Sequence, residues 1–129
     1  MKKRLFGRGW LSLLVLLPAL SLAQSGPLAT PVEPFKLGTF QIQGVPKVGV
    51  VLRDQFIIDL EVANRDLEIN PMYPRIPMPE DMIQLIGQYE YGLKFRLYEL
   101  VNHLIENNRV TGNNQAEYIY ERNEIRVLP

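Results

Sequence analysis

From Phe35 onward, apolar and polar positions follow one another in patterns that define a succession of short elements. The stretch Phe35-Lys36-Leu37-Gly38-Thr39-Phe40-Gln41-Ile42-Gln43 is rich in aromatic and β-favouring residues and partly alternates. Gly44-Val45-Pro46 supplies a turn, and Val48-Gly49-Val50-Val51-Leu52 reads as the returning strand. Arg53-Asp54-Gln55 makes a second polar turn before the apolar run Phe56-Ile57-Ile58, so the pattern predicts a three-stranded antiparallel meander. Gly49 inside a strand marks a bulge or a close packing approach. Asp59 is placed to cap a short helix starting near Leu60, because its carboxylate accepts the free backbone N–H groups there.

The pattern then changes period. Pro71, Pro74, Pro77 and Pro79 fall within Asn70 to Pro79, and each removes a backbone donor and restricts its predecessor, so this stretch predicts an extended, stiff surface connector. Pro79 suits the first position of a helix, with Glu80 and Asp81 in its first turn; Met82, Ile83, Leu85 and Ile86 form its apolar side and Gly87 ends it. A longer helix is expected from about Gly92 to Asn107, with Leu93, Leu97, Leu100, Val101 and Leu104 in one stripe and Arg96, Glu99, His103 and Glu106 solvated. After a polar exit loop, Tyr118-Ile119-Tyr120 and Ile125-Arg126-Val127-Leu128 predict a final hairpin turning about Arg122-Asn123. The expected fold class is therefore α+β: a small antiparallel sheet, made of the N-terminal meander plus the C-terminal strands, packed against two helices, with a further short helix near Leu60.

The first residues read as an address. Lys2-Lys3-Arg4 form a basic region, Leu11 to Leu17 an apolar one, and Ser21-Leu22-Ala23 place small residues where a signal peptidase needs them. The apolar run is short for a bilayer span of roughly 20 residues, so residues 1–23 predict a signal peptide cut after Ala23. Export to the periplasm or the exterior follows. Residues 24–34 are expected to be an unstructured linker, and residues 35–129 the single domain.

Charge changes this picture only once the address is set aside. Lys2, Lys3, Arg4 and Arg8 precede the apolar run, leaving ten basic against fourteen acidic residues, a net charge of −4. A mildly acidic body offers no phosphate-binding surface, which argues against nucleic acid as a partner. The chain contains no cysteine, so disulfides, thiolate chemistry and Cys-ligated zinc are excluded.

Candidate chemistry is sparse. His103, the sole histidine, lies four residues after Glu99, a spacing that reads as a surface pair on a helix. Ser12, Ser21 and Ser25 fall in the signal or linker, and Thr39 and Thr111 lack a paired base. Glu80-Asp81 reads as helix-start electrostatics, and Glu121 and Glu124 do not converge unless a helix forms there. Tyr89, Tyr91, Phe95 and Tyr98 form either a ligand wall or, the favoured reading, core packing. The residues thus nominate no catalytic, cofactor-binding or metal-binding position.

The order of segments nevertheless resembles that of a known family. Phe35-Lys36-Leu37-Gly38-Thr39-Phe40, Val48-Gly49-Val50-Val51-Leu52 and Ile57-Ile58-Asp59-Leu60 resemble the opening of fumarylacetoacetate hydrolase family proteins. Met78-Pro79-Glu80-Asp81-Met82-Ile83-Gln84-Leu85-Ile86 resembles the helix that follows, and Ile125-Arg126-Val127-Leu128-Pro129 the strand before the catalytic domain. The resemblance implies the noncatalytic N-terminal, lid or packing domain of a metal-dependent hydrolase of C–C bonds in diketo or oxo-acid substrates. It places Mg²⁺ or a similar ion, the Glu-x-Glu metal ligands and the catalytic histidine in a catalytic domain absent from this chain. The chain alone is then expected to be inactive, with that catalytic domain as its partner and homo-oligomerisation open. A free-standing exported interaction module is the alternative. The signal peptide departs from a family with many cytoplasmic members.

Overall fold

The computed structural model describes residues 30–129, so the signal peptide and residues 24–29 of the linker lie outside the described residues. The architecture is α+β: a five-stranded antiparallel sheet packed against helices. Strands β1 (Phe35–Ile42), β2 (Val45–Leu52) and β3 (Phe56–Asp59) form the expected meander. Gln43 and Gly44, at φ 52° and 80°, close β1 onto β2 in a two-residue turn whose paired positive φ values match the twist of the strands it joins. The β1–β2 register is continuous through Gly49, so that residue marks a close approach rather than a bulge.

Helix α1 (Leu60–Leu67) starts where Asp59 predicts, with the Asp59 carboxylate accepting the Val62 N–H at 3.3 Å. Helix α2 spans Met82–Gln88 and α3 Lys94–Glu106. The start of α2 is later than the proline pattern suggests. Asp81 is the cap, accepting from the Gln84 N–H at 2.8 Å, so Pro79 and Glu80 precede the helix. Gly87 does not stop it. The break falls at Tyr91 and Gly92, where φ is 119° at Gly92, a conformation open to glycine. The five apolar residues of the α3 stripe, Leu93, Leu97, Leu100, Val101 and Leu104, are all buried.

The C-terminal strands do not form a hairpin. β4 (Ile119–Glu121) pairs with β3, whereas β5 (Arg126–Leu128) pairs with β1, giving the order β4-β3-β2-β1-β5. Between them, Arg122–Glu124 wind into a 3₁₀ turn with a reciprocal cap between Glu121 and Glu124, which removes the residues a hairpin turn would need. In a flat sheet the two outer strands would stand about 19 Å apart, at ~4.8 Å per spacing. A wound link of a few residues, rising about 2 Å each, is too short for that distance, so the sheet curls to bring its edges together.

The curl creates two apolar layers from one alternation. Odd positions of β1 (Phe35, Leu37) and even positions of β2 and β3 (Val48, Val50, Leu52, Phe56, Ile58) face the helices. Phe40, Ile42 and Ile57 face the opposite side, where Val51, Tyr120 and Ile125 pack against them inside the curl. Residues 30–34 form no helix or strand but are tied to the domain by side-chain hydrogen bonds. Asn102 on α3 donates to the Thr30 carbonyl at 2.7 Å and accepts the Val32 N–H at 2.8 Å, while Arg53 forks onto Glu33 at 2.6 and 3.0 Å. Among the described residues no helix is long and apolar enough to cross a membrane.

Candidate functional site

The burial of Arg96 reorganises the picture drawn from the α3 pattern. Arg96 is three residues after Leu93 and four before Leu100, on the flank of the apolar stripe, and is only 4% exposed. Its guanidinium donates to Asn64 Oδ1 (2.6 Å), Glu68 Oε1 (3.2 Å), Glu99 Oε2 (3.3 Å) and the Pro74 carbonyl (2.6 Å). The expectation that it is solvated fails because α1 and the proline segment supply these acceptors where α3 packs. Glu68 completes the knot: its Oε1 also accepts the Ile76 N–H at 2.8 Å and Asn64 Nδ2 at 2.9 Å. Hydrogen bonding from Ile76 is the chief reason that Glu68 titrates below the usual glutamate range, with Asn64 and Arg96 adding to it against the opposing effect of burial.

This knot floors a polar cleft of about 470 Å³ lined by α1 and by residues 76–80, including Glu61, Arg65, Met78 and Glu80. Beside it, Lys47 pairs with the buried Asp59 carboxylate at 2.9 Å and lies 3.7 Å from Glu61. The bond to Asp59 holds the Lys47 pKa above its ordinary value. Arg65 in turn pairs with Glu61. The cations of this region are thus engaged by internal carboxylates, and the cleft is a joint between α1, α3 and the proline segment.

His103 is half-buried near the end of α3. Its Nδ1 lies 3.3 Å from Asn107 Nδ2, and Glu99, the partner expected from the spacing, turns to Arg96 instead. Glu121 and Glu124 converge on each other's backbone as the cap described above, a role that the short 3₁₀ turn makes available. Among the described residues no group of three or more His, Cys, Asp or Glu side chains could hold a metal ion.

A second concavity has a different character. Leu37 of β1 and Met82, Leu85, Ile86 and Tyr89 of the α2 region line an apolar groove of about 370 Å³, with Glu90 at its rim. The apolar side expected for α2 splits in two: Leu85 is buried, whereas Ile83 is 83% and Ile86 67% exposed. The expected core role holds for Tyr89 alone, which packs against the buried cluster. Tyr91 is 91% exposed beyond the kink, and Tyr89, Phe95 and Tyr98 are half-buried. Tyr98 stacks edge-on with Phe35 and Phe95 at 6.0 and 6.1 Å and meets the Tyr89 hydroxyl at 3.5 Å. That hydroxyl contact, reinforced by burial, pushes Tyr89 up to about 12. The groove went unforeseen because the apolar residues of α2 read as one buried side; the one available signal was that Ile83 and Ile86 lie off the row Met82, Leu85, Tyr89. No family model and no curated protein matches the chain.

Proposed function

We propose that residues 35–129 act as a noncatalytic packing domain of the fumarylacetoacetate hydrolase type, serving a catalytic domain of that family. The observation that carries this reading is the apolar groove lined by Leu37, Met82, Leu85, Ile86 and Tyr89, together with the exposed Ile83, Ile86 and Tyr91 of α2 and the kink after it, none of them covered among the described residues. Large apolar side chains grouped in this way favour a protein partner. The arrangement of the motifs supports the parentage. The segments that resemble the family lie on β1, on β2, across the β3–α1 junction at the capping Asp59, at the start of α2 and on β5. In this reading Mg²⁺ or a similar ion and the C–C bond hydrolysis belong to the partner domain, and residues 1–23 direct export.

The test is association. The purified chain mixed with a separately expressed fumarylacetoacetate hydrolase-type catalytic domain is expected to form a complex in sedimentation velocity, and Ile86→Glu to abolish it. The chain alone is expected to leave acylpyruvates uncleaved with or without Mg²⁺. Metal-dependent turnover by the chain alone would overturn the reading. Intact-mass analysis of exported protein should find a chain beginning at Gln24; full-length protein retained in the cytoplasm would remove the export part.

A further inference from the structure

The groove adjoins a strand edge whose hydrogen-bonding groups are not taken up among the described residues. Ile42 and Val45 flank the two-residue turn and face each other as a hydrogen-bonded pair, so alternate residues Phe40, Gly38 and Lys36 turn their backbone groups to β2. The N–H and C=O groups of Gln41, Thr39, Leu37 and Phe35 therefore point to the other edge. Strand β5 satisfies those of Gln41 and Thr39, through Arg126 and Leu128. No strand among the described residues pairs with Phe35 or Leu37 on that edge. The side chain of Leu37 is itself a wall of the groove, and Phe35 lies on the same face of β1.

We infer that this half of β1 is a docking edge for an extended strand of a partner polypeptide, which adds antiparallel to Phe35–Leu37 in line with β5. The ladder that β5 already makes fixes both direction and register. A residue opposite Leu37 projects its side chain over the groove, toward Met82, Ile86 and Tyr89, and is therefore apolar. A residue opposite Lys36 projects to the other face, where Lys36 and Asp54 form an exposed ion pair, and is therefore polar. The partner segment is thus a β-strand of alternating apolar and polar residues, bound by backbone hydrogen bonds and one apolar pocket. The inference rests on the reading that the domain serves a partner, and it names the element the partner contributes.

The experiment uses the full chain and, as probe, a capped peptide of alternating valine and threonine. Amide hydrogen exchange with and without the peptide is expected to show the Phe35 and Leu37 amides protected about tenfold or more, with smaller changes elsewhere. The same peptide with proline at its centre lacks the donor needed for the ladder and is expected not to protect them. Ile86→Glu, at an exposed position that the fold does not need, should weaken the peptide about tenfold or more, and Ile83→Glu, outside the groove lining, only slightly. Protection that survives the central proline, or that arises elsewhere on the domain, would overturn the inference. Protection of Phe35 and Leu37 without peptide that grows with protein concentration would overturn it in favour of a second copy of this chain. Peptide binding without association with the catalytic domain would sink the functional reading alone, because the edge would still have behaved as inferred.

Discussion

Gly38 and Gly49 are direct partners across β1 and β2, and the ring of Phe40 lies over both. A Cβ at Gly49 would stand 2.8 Å from the Phe40 ring and 3.1 Å from the Ile58 carbonyl oxygen; one at Gly38 would meet only the ring, at 2.9 Å. The glycine pair is therefore the seat that lets Phe40 fold down into the curl.

Gly49→Ala is expected to destabilise the domain by about 1–3 kcal/mol, and Gly38→Ala by less, because only Gly49 also approaches backbone. Denaturant melts in a Phe40→Ala background would separate the two effects. The Gly38→Ala cost should vanish there, while part of the Gly49→Ala cost persists.

Arg96→Ala should be among the most damaging single changes. It strands Glu68 and Asn64 in a largely buried knot and frees the proline segment from α3, an effect of about 3–5 kcal/mol in comparable buried pairs. Arg96→Lys should rescue little, since an ammonium cannot reproduce the fork to Asn64, Glu68 and Pro74. Equilibrium unfolding of both variants checks this, and near-wild-type stability of Arg96→Ala would refute the knot.

Leu97→Ala and Leu100→Ala remove side chains that are 0% and 1% exposed. Each is expected to cost about 2–5 kcal/mol in chemical denaturation. Ile83→Ala, on the outer side of α2, should change stability little.

Acid should loosen the same knot. The Glu68 pKa is lower in the folded chain than in the unfolded one, so its stabilising contribution is complete above the ordinary glutamate range and disappears as pH falls through the folded value. Thermal melts from neutral pH downward are expected to show a loss of stability below that range, and Glu68→Gln should flatten the profile over the same window.

The parts of the fold that could be read from residue order are those governed by neighbours in sequence. The β1–β3 meander follows from turn residues between apolar runs, the start of α1 from Asp59, and the buried face of α3 from its own spacing. Distant partners decided the rest. Arg96 is buried because Asn64, Glu68 and Pro74, far away in sequence, offer acceptors. Strands β4 and β5 separate because the two edges of a curled sheet compete for them better than they pair with each other. In the groove, Leu37 meets Met82 and Ile86 across a fold whose packing no local period encodes.

Closure of the curl also sets an order of events. Thr39 pairs with Leu128, so an edge of the first strand is covered by nearly the last residues of the described chain. The β1–β2 hairpin is local and can form as soon as its residues are free, but the 3₁₀ bridge and β5 can add only after α1, α2 and α3 have been made. A chain threaded N-terminus first through a narrow pore would therefore travel with β1 uncovered. The lock on its first strand would arrive only with Arg126–Leu128, which delays tight folding until α1, α2 and α3 have passed.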